Sequence, residues 1–251
     1  MSSPAHRLNR RRELLLTGGA ALLLARPALA RAAGAPADLP VEVAGVPIPH
    51  SALARSAVRF AREACPEFLF NHCVRTYVFG TLLLKRKRGT YRADDAFVAA
   101  LLHDLGLLQK FASARSSFEI DGAAAAEAFM REQGAPANDG DIVWHAVEMH
   151  DGKWALTERQ GPEAMLVALG AGADVVGFDP AEIDARQVTE TLEAFPRLQF
   201  KRRFTDLLTD HCRRKPTSQR ATWLEGLCRE QVPGAWSDTV ERTIDAAPFP
   251  E

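Results

Sequence analysis

From residue 51 onward the 251-residue chain has no runs of strict apolar–polar alternation, which excludes a body built on half-buried β-strands. No internal repeat is present, and low-complexity sequence is confined to a leader before residue 51. The apolar run Leu14 to Leu24 is too short to cross a bilayer, so no stable membrane span is expected. Only four cysteines occur, Cys65, Cys73, Cys212 and Cys228, and their spacing is not that of a cysteine-built zinc module. They fit either disulfides in an oxidising compartment or isolated buried thiols. A basic excess is also missing. Without residues 1–30, 26 basic residues face 31 acidic ones, which leaves no electrostatic footprint for nucleic acid.

What is present begins with Arg10-Arg11-Arg12, the apolar run, and the small residues Ala28-Leu29-Ala30. That order reads as an export signal over residues 1–30, cleaved after Ala30. Arg11-Arg12-Glu13-Leu14-Leu15 resembles the twin-arginine form, whose pathway carries folded proteins, often with a cofactor already loaded. The expected location is therefore the periplasm. Residues 31–50 hold Pro36, Pro40, Pro47 and Pro49, through which no helix runs, and read as an extended leader.

Beyond it apolar residues recur at helical spacing almost to the end of the chain. The pattern predicts helices over 51–64, 67–86, 94–108, 121–133, 139–151, 162–177, 180–194, 197–213 and 217–230, with a short one over 236–245. Asp94 and Asp121 cap helix starts, Gly134 ends one, and Gly161-Pro162 opens another. The fold class is an all-α bundle: a helical domain over 51–178, with extra C-terminal helices over 179–251 packed on it. Phe195, Phe200 and Phe204 of that extension serve either the domain core or a subunit contact, so a homo-oligomer is an open expectation.

Four side chains stand out because apolar helices carry them. His72 shares a helical face with Leu69, Thr76 and Phe79, the side meant for the core. His103-Asp104 ends the very apolar run Phe97 to Leu102 and is followed by Leu105-Gly106; burying that doublet is costly unless a positive charge compensates. Neighbouring helical residues diverge by about 100°, so both can ligate one ion only over the helix end. Asp174 lies in line with Leu166, Gly170, Ala173 and Gly177, a face of small residues. His145 and His150 are about 140° apart on a helix. His150 falls on the apolar stripe with Val143, Ala146 and Val147, and is the functional candidate of the two. Imidazole nitrogen with carboxylate oxygen suits one divalent transition metal ion, zinc, iron or manganese.

The ordered series His72, His103-Asp104, Asp174 resembles the H…HD…D signature of the HD superfamily of metal-dependent hydrolases, an all-helical domain. The resemblance runs from about Ser51 to Phe178. It is nearest to the subgroup that includes cyanamide hydratase, through Asn71-His72-Cys73-Val74-Arg75-Thr76-Tyr77, Leu102-His103-Asp104-Leu105-Gly106-Leu107, Phe118-Glu119-Ile120-Asp121-Gly122-Ala123 and Gly172-Ala173-Asp174-Val175-Val176-Gly177. It implies that His72, His103, Asp104 and Asp174 hold the metal, and that His150 contacts substrate or a second ion. Leu107 stands where signalling-nucleotide phosphodiesterases of the superfamily have lysine, which argues against that branch. Asp151-Gly152-Lys153-Trp154 also departs from the usual small-residue continuation.

A metal that lowers the pKa of water, with Asp104 or a neighbouring carboxylate orienting it, gives a nucleophile near neutral pH. Glu119 and Asp121 are candidates for proton transfer, unless they are only the acidic start of a helix. Arg75, near His72 on the same helix, is the candidate for holding a polar or anionic substrate group. Two chemistries fit equally: hydrolysis of a phosphoester or amide-type bond, and hydration of a nitrile-like bond. Only Arg75, Lys110 and Arg115 are basic near the motifs, which tilts the expectation toward a small, weakly charged substrate. The non-enzymatic alternative is a helical binding protein in which these groups form a structural network.

Overall fold

The structure is a computed structural model describing residues 38–152, 154–177, 182–236 and 240–246. The expected export signal and residues 31–37 lie outside the described residues, as do Lys153 and Phe178. The fold is all-α apart from one two-stranded antiparallel ribbon, β1 (Glu42–Val43) with β2 (Val46–Pro47). That ribbon is the first difference from expectation. The leader reads in sequence as merely extended, but its Val43, Val46 and Ile48 are buried in the core. The chain reverses through Ala44 and Gly45, both at positive φ.

Helix α1 (Ala52–Ala64) begins where the Ser51 hydroxyl accepts the Ala54 amide at 3.0 Å, an N-cap that satisfies one of the free first-turn donors. Helix α2 (Glu67–Arg86) is buried on every side from Phe68 to Leu84, as befits a helix whose apolar residues encircle it. Helix α3 (Ala93–Leu102) is likewise interior from Asp95 onward. Helices α4 (Phe118–Glu132), α5 (Ala137–Glu148), the unexpected short α6 (Trp154–Arg159) and α7 (Pro162–Val176) complete the domain around them. No helix among the described residues is long and apolar enough to cross a membrane.

Two glycine contacts set the positions of the chemically interesting side chains. Helices α2 and α7 cross so closely that a Cβ on Gly170 would sit 1.8 Å from the Thr76 carbonyl oxygen. A Cβ on Gly80 would lie 2.1 Å from the Leu166 carbonyl oxygen. Gly170→Ala is therefore expected to lower the unfolding free energy by about 1–3 kcal/mol, read from chemical denaturation, because neither backbone can yield without moving a helix. The second contact explains why α3 stops at Leu102 instead of running to residue 108. A Cβ on Gly106 would lie 1.9 Å from the Phe118 carbonyl oxygen, and one on Gly122 2.7 Å from that of His103. The chain turns there, through a short 3-10 segment Leu105–Leu107, to pack its backbone on the start of α4.

The C-terminal part continues with α8 (Ala185–Ala194), α9 (Phe200–Arg214), α10 (Glu225–Gln231) and α11 (Val240–Asp245). The helix expected over 217–230 forms only from Glu225. Before it the chain turns with Ala221 at φ 63°, and Thr222 bonds back to Gln219. Cys212 and Cys228 form a disulfide joining α9 to α10, while Cys65 and Cys73 are buried thiols. Closing a loop of 16 residues, the disulfide is expected to contribute about 3 kcal/mol, so a Cys212→Ser, Cys228→Ser chain unfolds at correspondingly lower urea.

Candidate metal centre

His72 from the middle of α2, and His103 and Asp104 from the turn that ends α3, bring ligand atoms within 4.8 Å of one another. Each imidazole is held from behind. His103 Nδ1 donates to the Ala100 carbonyl at 2.8 Å, and His72 Nδ1 donates to Asp174 Oδ2 at 2.7 Å. That fixes both tautomers with bare Nε2 lone pairs facing inward. Each Nε2 is 3.3 Å from Asp104 Oδ2. His72 Nε2 and Asp104 Oδ2 are buried without a hydrogen-bond partner. Without a cation the one donor within reach is a proton on His72 Nε2, and a divalent cation in its place would engage all three ligand atoms at once. The residues present fit a metal.

The same geometry governs titration. Burial pushes the His103 imidazole down to about 3. Burial alone would raise Asp104, but His103, His72 and His150 beside it bring it down to about 2. Asp174 is also held below the carboxylate range, the burial penalty being outweighed by His72 and Arg75. For His72 burial acts downward, and Asp104 and Asp174 outweigh it, so its pKa rises. The raised His72 contributes stability already complete below pH 6.5, its unfolded value. The contribution of His103 is lost as pH falls from 6.5 toward 3, and those of Asp104 and Asp174 below 3.8. The metal-free chain is thus expected to lose stability most steeply below about pH 4, where the unfolded state binds more protons at all three sites; urea midpoints across that range check it.

Asp174 lies outside the group of converging atoms. Its Oδ2 accepts from His72 Nδ1 and from Arg75 Nη2 at 2.6 Å, and its Oδ1 from Arg75 Nε at 2.9 Å and Arg197 Nη1 at 2.7 Å. Helix α7, pressed against α2 at Gly170, delivers the carboxylate to the Nδ1 side of His72. Arg75, expected to hold a substrate group, is engaged by other partners instead. Its guanidinium is fully buried on Asp174 and the Phe195 carbonyl, and Arg75 is not among the described residues that line the cavity beside His72 and His103. Asp121, the other candidate for proton transfer beside Glu119, is not among the described residues lining that cavity. Its Oδ2 accepts from Lys215 Nζ at 2.6 Å and from the Ser113 amide, an ion pair that ties the end of α9 to α4.

His150 lies just past the end of α5, in a turn, with Nδ1 donating to the Val147 carbonyl at 2.6 Å and Nε2 3.9 Å from Asp104 Oδ1. His145 is on the surface beside Glu148. Glu119 is buried at the start of α4; burial and then its neighbour Asp151 push its carboxyl up to about 8.

His72, His103, Asp104 and His150 line a cavity of about 220 Å³. Its other walls are mainly apolar: Phe118, Val175 and Val176 from the domain, Phe204 and Trp223 from the C-terminal extension. Phe200 stacks on His72 with ring centroids 4.7 Å apart. Among the described residues lining it there is no lysine or arginine. Sequence reasoning does not single out Asp151, Phe204 or Trp223 as cavity residues. Asp151 had one usable signal, its place directly after His150; the two aromatics come from a segment with no local mark of function.

The family model of the HD domain matches residues 69–170, which supports the HD superfamily of metal-dependent hydrolases for this stretch. The match contains His72, His103 and Asp104 and ends four residues before Asp174. No curated protein gives a significant match to the chain.

Proposed function

We propose that this chain, whose residues 69–170 carry the HD domain, is a metal-dependent hydrolase that turns water on a small, weakly charged molecule. One observation carries the reading: buried, unpartnered ligand atoms of His72 and Asp104, with His103, sit on the wall of a cavity that has no described cation. In this reading His72, His103 and Asp104 hold one zinc, iron or manganese ion. Such an ion supplies Lewis acidity that makes water nucleophilic near neutral pH.

The chain's own residues do the rest. Asp174 keeps His72 in its tautomer, and the Ala100 carbonyl does the same for His103. His150 offers Nε2 to a proton of water or substrate, since its Nδ1 hydrogen is engaged. Phe118, Phe204 and Val175 exclude bulk water, which strengthens each polar contact inside.

The cation-poor wall favours a second reading, hydration of a nitrile-like molecule, over hydrolysis of a phosphoester, whose charge calls for converging basic groups. That agrees with the resemblance to the cyanamide hydratase subgroup. An oxidising, periplasmic location is supported by the N-terminal signal pattern and is compatible with the Cys212–Cys228 disulfide. A screen of small amides, nitriles and phosphoesters, with and without a chelator, tests the assignment. Chelator-sensitive turnover of a neutral substrate supports it, and turnover indifferent to chelator counts against it.

A further inference from the structure

Among the described residues, only Asp151 and Trp223 line both the cavity beside His72 and His103 and a larger outer cleft of about 590 Å³. The two spaces therefore meet at these residues. Three aromatic side chains wall the inner cavity, and they differ in burial. Phe118 and Phe204 are 1% and 5% exposed and belong to the core, so trimming either leaves a hole in the packing. Trp223 is 47% exposed and stands on the side of the outer cleft. Beyond it Ile120, Met149 and Leu156 give that cleft an apolar lining.

Trp223 is carried on a firmly held turn between α9 and α10, inside the loop that the Cys212–Cys228 disulfide closes. The Gln219 side-chain amide lies 3.3 Å from a Glu119 carboxyl oxygen and 2.6 Å from the Thr222 hydroxyl, and Leu224 is buried. None of these contacts uses the indole, so the turn keeps its place when the ring is removed.

We propose that Trp223 is the specificity-determining residue of the metal-lined cavity: its indole partitions that cavity from the outer cleft and limits the substrate to a short molecule. The proposal rests on the reading of the inner cavity as the substrate site. A straight apolar arm growing away from the metal ligands gains affinity while it still buries new methylenes, by about fourfold each. Once it meets the indole the gain stops. With the ring removed, the arm runs on into the outer cleft along Ile120, Met149 and Leu156, and the gain continues.

Titration of straight-chain primary amides, from acetamide to hexanamide, into the metal-free full chain tests the proposal. Methyl NMR signals locate the ligand, because Val175 lines only the inner cavity, whereas Ile120 and Leu156 line only the outer cleft. In the native chain the affinity is expected to stop rising within the series, with hexanamide shifting Val175 and leaving Ile120 and Leu156 unmoved. In Trp223→Ala the ratio of hexanamide to acetamide affinity grows about tenfold or more, and Ile120 and Leu156 shift as well. Trp223→Phe keeps a smaller ring, shows the same change to a lesser extent, and decides the matter if the alanine chain does not fold. An affinity that climbs steadily to hexanamide in the native chain would overturn the proposal, as would an unchanged ratio in the variants or amides that leave Val175 unmoved. These titrations need no metal; zinc content and chelator-sensitive turnover report separately on the metal centre, whose failure leaves the result at Trp223 standing.

Discussion

Zinc is expected to stabilise the native chain against urea by about 4 kcal/mol when its free concentration is a thousandfold above the dissociation constant, and to leave His103→Ala and Asp104→Ala unmoved. The effect is large because the binding atoms are already assembled. His103 and His72 have their Nδ1 hydrogens engaged, so no rearrangement of either ring is needed to present Nε2. Asp104 stands 3.3 Å from both and supplies the anionic charge. Removing it leaves two imidazoles with no anionic ligand, a set that binds a divalent ion far more weakly, so the response at that zinc concentration falls away. An equal zinc response in the two variants would mean that the ion binds elsewhere.

Asp174→Ala is expected to act in another way: a stability loss of about 3–5 kcal/mol even without metal, because the Arg75 guanidinium is left buried without its counter-charge. Zinc affinity should weaken only 10–100-fold, roughly the range for losing a group that orients a ligand, since His72, His103 and Asp104 stay in place. This separates two roles for the same carboxylate. A direct ligand, as the sequence resemblance implies, would take the zinc response away as completely as Asp104→Ala does. A carboxylate whose oxygens are engaged by His72, Arg75 and Arg197 should leave a weakened site. Asp174→Asn, which can still accept from arginine, should lose less stability than Asp174→Ala, and urea unfolding of the metal-free chains gives the comparison.

Helical periodicity made the bundle readable from sequence, because apolar residues on one or all faces of a helix report burial directly. The same logic placed His72 on an inward face, and put the His103-Asp104 doublet over a helix end. What sequence could not carry were contacts between residues far apart in the chain. Helix α3 stops early because Gly106 and Gly122 meet, and neither glycine announces the other. Arg75 resembled a substrate-binding residue because its partners, Asp174 and the Phe195 carbonyl, lie 99 and 120 residues away. Asp121 resembled a proton carrier for a similar reason, its lysine lying 94 residues downstream. The cavity walls Phe204 and Trp223 belong to a region whose sequence reads only as amphipathic helix and turn.

Anomalous scattering from crystals of the zinc-loaded chain tests the central claim most directly. The account predicts a single strong peak within bonding distance of His72, His103 and Asp104, absent from crystals of Asp104→Ala. A peak at another group of side chains, or none there in fully zinc-equilibrated protein, would contradict it.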